Sequence, residues 1–112
     1  MNKKYEYEFL HCFLKDVKKL SKKYKSLKID LKNFIDNFDK ILKNSTEIKP
    51  NIFKSRLSIK SKGRGKSGGA RIITYKVTKD LKVYFLHIYD KSQKSSVHIN
   101  YIDELISKIN DE

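Results

Sequence analysis

A chain of 112 residues with 26 Lys and Arg against 13 Asp and Glu has room for one hydrophobic core and carries a net charge of +13. Its single cysteine, Cys12, excludes a disulfide framework and a Cys-rich zinc site, both of which need further thiols, and fits a reducing cytoplasm. No segment approaches the roughly 18 consecutive apolar residues of a membrane span, and the start, MNKKYEYEF, lacks the apolar run of a signal peptide. The expectation is a single domain over residues 1–112, cytoplasmic, with no membrane partner.

Tyr5, Tyr7 and Phe9 alternate with Glu6 and Glu8, the period of a short strand. From Phe9 to Tyr24 the apolar residues Phe9, Phe13, Val17, Leu20 and Tyr24 recur at three- and four-residue steps, which predicts an amphipathic helix. A second helix follows a break near Ser26, with Leu27, Leu31, Phe34, Ile35, Phe38, Ile41 and Leu42 on one stripe. Together they read as a helical hairpin. Pro50 marks the exit from helical structure, after which Ile52–Ile59, Arg71–Val77 and Val83–Tyr89 are spaced as an antiparallel meander. Ile102, Leu105, Ile106 and Ile109 predict a short closing helix over Ile99–Ile109. The fold class is α+β.

All four glycines fall in one loop between the first two meander strands, Gly63, Gly65, Gly68 and Gly69. Gly63-Arg64-Gly65-Lys66-Ser67-Gly68 spells G-x-G-x-x-G, but that fingerprint offers a helix N-terminus to a pyrophosphate, and here a strand follows. A Walker A motif fails as well, because Lys60 stands where its first glycine belongs.

Charge is the stronger signal. Between Glu47 and Asp80 there is no acidic residue, while ten Lys and Arg run from Lys49 to Lys79. Charge of one sign over sheet and loop is the footprint of a phosphate-backbone site, with Lys60, Lys62, Arg64 and Lys66 as RNA-binding candidates. In the third meander strand, alternation puts Val83, Phe85, His87 and Tyr89 on one face; if that face is open, His87 and Tyr89 can stack unpaired bases. His98 is the best placed histidine for proton transfer, following the basic segment Lys91-Ser92-Gln93-Lys94. Neither a histidine pair nor a carboxylate–histidine cluster suggests a metal, and no cofactor is implied.

From Phe13-Leu14-Lys15-Asp16-Val17-Lys18-Lys19-Leu20, through Gly65-Lys66-Ser67-Gly68-Gly69-Ala70-Arg71-Ile72-Ile73, to Ile88-Tyr89-Asp90-Lys91-Ser92, the chain resembles the RelE/ParE superfamily of type II toxins, and most of all its RelE and HigB branch. The resemblance implies a helical hairpin packed on a small curved antiparallel sheet with a short C-terminal helix. It further implies a metal-independent endoribonuclease (mRNA interferase) that cuts mRNA on the ribosome by attack of a ribose 2′-OH on the adjacent phosphate, and a cognate RelB- or HigA-like antitoxin as partner. By motif, the paired basic residues of the family's first long strand fall on Lys54 and Arg56, and its phosphate-stabilising arginine on Arg71. Where the RelE branch has an arginine general acid this chain has Ser92, so Lys91 or Lys94 takes that role, and His98 or Tyr101 the place of the base-stacking tyrosine. The alternatives are a ParE-like gyrase inhibitor and a non-catalytic RNA-binding protein.

Overall fold

The computed structural model describes residues 5–62, 69–93 and 96–111. Their order is β1 (Glu6–Phe9), α1 (His11–Lys23), α2 (Leu27–Asp36), α3 (Phe38–Lys43), β2 (Thr46–Lys49), β3 (Ile52–Leu57), β4 (Ala70–Val77), β5 (Lys82–Asp90) and α4 (Ile99–Asp111). The strands form one sheet in the order β1-β5-β4-β3-β2. Pairs β2–β3, β3–β4 and β4–β5 are antiparallel, but β1 runs parallel to β5, so the sheet is mixed and not antiparallel throughout. A parallel neighbour needs a crossover connection, and everything between β1 and β5 supplies it.

The second predicted helix is two. Asn37 ends α2 and starts α3, its Nδ2 donating to the Asn33 carbonyl at 2.8 Å, the competition with helical bonding for which asparagine is known. Strand structure resumes before Pro50, at Thr46, and Pro50-Asn51 turns β2 into β3. Asn51 has φ 67°, the left-handed value that a turn with proline at its second position demands of the third. The Glu47 carboxylate caps that turn by accepting the Asn51 N–H at 2.8 Å. Beyond β4, Thr78–Asp80 forms a single 3₁₀ turn, closed by Leu81 at φ 52°.

One residue decides which side chains face which way. The β4–β5 register pairs Ile73 with His87 and Thr74 with Phe85, leaving Leu86 as an extra residue. Such a bulge reverses every side chain beyond it. Phe85 therefore turns toward the helices, where it is fully buried among Phe9, Phe13, Phe34 and Phe38 with ring centroids 4.9–6.2 Å away. His87 and Tyr89 turn to the opposite face, contrary to the unbroken alternation expected from the sequence. That face is not open at this end of β5, because α4 lies against it: the Tyr101 ring meets His87 edge-on at 5.2 Å, and Lys49 pairs with Asp103 at 2.7 Å. No helix among the described residues is long and apolar enough to cross a membrane.

Candidate RNA-cleavage site

Directly opposed residues of antiparallel strands project to the same face. The register aligns Arg56 with Arg71 and Arg71 with Tyr89 in one row, and Lys54 with Ile73 and Ile73 with His87 in the next. Lys54, Arg56 and Arg71 thus come together because β3 and β4 are paired, although the glycine loop separates them in sequence. With Lys91, just past β5, they line an open cleft of about 670 Å³, completed by the α3–β2 corner at Asn44, Ser45 and Thr46. Among the described residues its lining includes four basic side chains and no carboxylate.

The two arginines of this row face each other at an electrostatic cost. Arg71 is only 7% exposed, with Nη1 donating to the Ala70 carbonyl at 3.1 Å. Burial, and then the charge of Arg56 directly across the ladder, push its pKa down, with Tyr89 acting the other way. Like charges facing each other on a sheet are destabilising, and among the described residues no carboxylate bridges this pair. An anion bound between the two guanidinium groups relieves both costs, since arginine presents a planar fork that matches a phosphate's oxygens.

Lys91 is held by its neighbours. The Asp90 carboxylate, buried on the helix side, accepts the Tyr24 hydroxyl at 2.6 Å on Oδ2 and, on Oδ1, both the Ser92 N–H at 3.0 Å and its hydroxyl at 2.7 Å. Lys23 approaches Oδ2 at 3.8 Å, and the Lys91 N–H donates to the Gly69 carbonyl at 3.1 Å. Ser92 is therefore committed to Asp90, and the turn presents Lys91 to the cleft. The sequence sets Asp90 in the Ile-Tyr-Asp-Lys-Ser segment and Tyr24 on the apolar stripe of the first helix, but carries no sign of the hydrogen bond between them.

The other candidates separate. His98 starts α4, its Nδ1 accepting the Asn100 N–H at 3.1 Å, and does not line the cleft. His87 and Tyr89 are 7% and 5% exposed, so stacking of bases on them is not supported; burial also raises the Tyr89 pKa, against the charge of Arg71. His87 Nδ1 lies 3.3 Å from the Asp16 carboxylate. Tyr101, packed on His87, is likewise drawn into that contact. Lys60 lines a neighbouring cleft that shares Arg56. Arg64, Lys66 and Lys94, and the side chain of Lys62, lie outside the described residues. Among the described residues no three His, Cys, Asp or Glu side chains gather as a metal site.

No protein-family model matches the chain. Among solved structures, a double arginine-to-alanine variant of the E. coli toxin RelE in the free state aligns over 96% of this chain and 99% of its own, with a TM-score of 0.57 and 18% identity. The isolated E. coli RelE toxin in another crystal form covers 94% of this chain and 98% of its own, with a TM-score of 0.53 and 21% identity. The chain has the RelE fold. The RelE-like α+β architecture spans essentially the whole chain, with a five-stranded mixed sheet and four helices. At this identity the likeness speaks for the fold, and the chemistry rests on the cleft.

Proposed function

We propose that the protein is the toxin of a type II toxin–antitoxin module, a metal-independent endoribonuclease that inhibits translation by cutting mRNA on the ribosome in the cytoplasm. The observation that carries this reading is the cleft itself, which brings Lys54, Arg56, Arg71 and Lys91 together from β3, β4 and the end of β5. The RelE fold and the Gly-Lys-Ser-Gly-Gly-Ala-Arg and Ile-Tyr-Asp-Lys-Ser segments support the assignment to mRNA and to the ribosome. A cognate antitoxin of the RelB or HigA kind is the partner that reading brings with it.

In the reaction, the 2′-oxygen of one ribose loses its proton and attacks the adjacent phosphorus, the bond from phosphorus to the 5′-oxygen breaks, and that oxygen takes up a proton. Negative charge accumulates on the non-bridging oxygens at the transition state. Arg71 and Arg56, fixed on adjacent strands, stabilise it without reorganising, which is where such donors gain most. Lys54, next to Arg56 on the same strand face, acts as its neutral amine and takes the 2′-OH proton, becoming an ammonium, and Lys91, as an ammonium on the opposite wall, delivers one to the leaving oxygen. Cationic side chains thus supply the charge that a divalent ion supplies in other nucleases.

Primer extension on mRNA from cells expressing the protein tests this reading. Codon-phased cuts within translated regions are expected from the wild type and not from a folded Arg71→Ala variant. Growth arrest with intact mRNA points instead to a gyrase-directed or non-catalytic toxin, and a fully toxic Arg71→Ala variant sinks the assignment.

A further inference from the structure

A second cleft, of about 440 Å³, opens between α2–α3 and the end of β3. It is contiguous with the basic cleft, since Arg56 and Ile41 line both. Its volume falls in the range of small-ligand pockets, roughly 300–1,000 Å³. Phe34, Ile41 and Leu57 give it an apolar floor, while Asn33 and Asn37 stand one helical turn apart at its mouth. Lys40 and Lys60 add positive charge to the rim. The one carboxylate among its described lining residues, Asp30, is buried, and its Oδ2 already accepts the Ser26 hydroxyl at 2.7 Å and the Lys60 N–H at 3.1 Å.

We infer that this cleft seats the nucleotide next to the scissile phosphate, with its base on the apolar floor and its edge read by the side-chain amides. The inference rests on the endoribonuclease reading and adds to it a specificity subsite. The chemistry fits one occupant. An RNA strand whose phosphate sits between Arg56 and Arg71 must continue past Arg56, and on that side the surface offers cations for the backbone, apolar area for an unstacked base, and amide groups. An amide carries donor and acceptor together, the pairing that distinguishes one base edge from another. Asn37 uses Nδ2 on the Asn33 carbonyl, at 2.8 Å, which leaves Asn33 as the more adaptable reader. An acidic peptide would use the cations but has no need of the amides.

The test maps cut ends across the mRNA of cells expressing wild type, Asn33→Ala, Lys40→Ala and, as a control away from both clefts, Lys28→Ala. All three positions are exposed, so the variants keep the fold. Asn33→Ala is expected to flatten the base preference at the nucleotide flanking the cut by roughly tenfold, within the range that one side-chain amide contributes to telling base edges apart. Lys40→Ala should lower overall cutting a few-fold with the preference retained, and Lys28→Ala should match wild type. Cuts with an unchanged flanking preference in Asn33→Ala overturn the subsite while leaving the nuclease reading intact. Weaker neutralisation by the antitoxin at unchanged base preference also overturns it, making the cleft a protein-docking surface. Absence of cuts in the wild type overturns both.

Discussion

Two regions of the same sheet, a few residues apart along the strands, are built on opposite principles. Around Phe85, aromatic rings from β1, β5 and three helices meet at edge and tilted angles, and each contact is stabilising. Around Arg71, a largely buried guanidinium faces another, and the lining of the cleft adds two lysines. The first region is satisfied by the chain's own atoms. In the second, two arginines oppose each other with no carboxylate among the described residues bridging them, and local conflict of this kind marks where a fold has been bent toward function.

The contrast can be broken at four places. Phe85→Ala empties the centre of the ring cluster and is expected to cost about 3–5 kcal/mol of stability, read by chemical denaturation. Arg71→Ala should leave a cooperative unfolding transition of ordinary midpoint yet slow RNA cleavage roughly a hundred- to a thousand-fold, the scale of losing one preorganised transition-state donor. Tyr24→Phe removes a hydroxyl from buried Asp90 and should cost about 1–3 kcal/mol. Because Asp90 holds the turn carrying Lys91, cleavage should fall in Tyr24→Phe even at temperatures where the variant is fully folded. Arg56→Ala is the smallest and sharpest. It should raise stability by about 0.2–1 kcal/mol, by relieving the repulsion across β3–β4, while lowering affinity for RNA in a salt-dependent manner. A destabilised Arg56→Ala protein contradicts the picture of an unsatisfied cationic row.

Much of this was readable from residues alone, for reasons specific to each element. Helix α1 and strands β3, β4 and β5 were legible because their periods of about 3.6 and 2 are local properties of the chain. Helix α2 was legible in its stripe but not in its end, since Asn37 breaks the helix with a side-chain bond that a hydropathy pattern does not register. Strand β2 was missed: Thr46–Lys49 carries one apolar residue, Ile48, and owes its extended form to pairing with β3. Of the site, the cations were visible as an uninterrupted run, and the row of Lys54, Arg56 and Arg71 came from the family motif. Asp90, Tyr24 and the α3–β2 corner were not visible, because their roles consist of contacts between distant segments.

The sequence by itself determined an α+β chain with a basic stretch free of acidic residues from Lys49 to Lys79. Only the tertiary structure decided what that charge faces. The bulge at Leu86 turns His87 and Tyr89 away from the aromatic core to a face where both are buried, His87 against Tyr101 of α4, and the β3–β4 register sets Arg56 against Arg71. The physical reason is that charge and periodicity are written residue by residue, whereas a one-residue shift in pairing, which no local pattern records, reassigns every side chain beyond it to the other face.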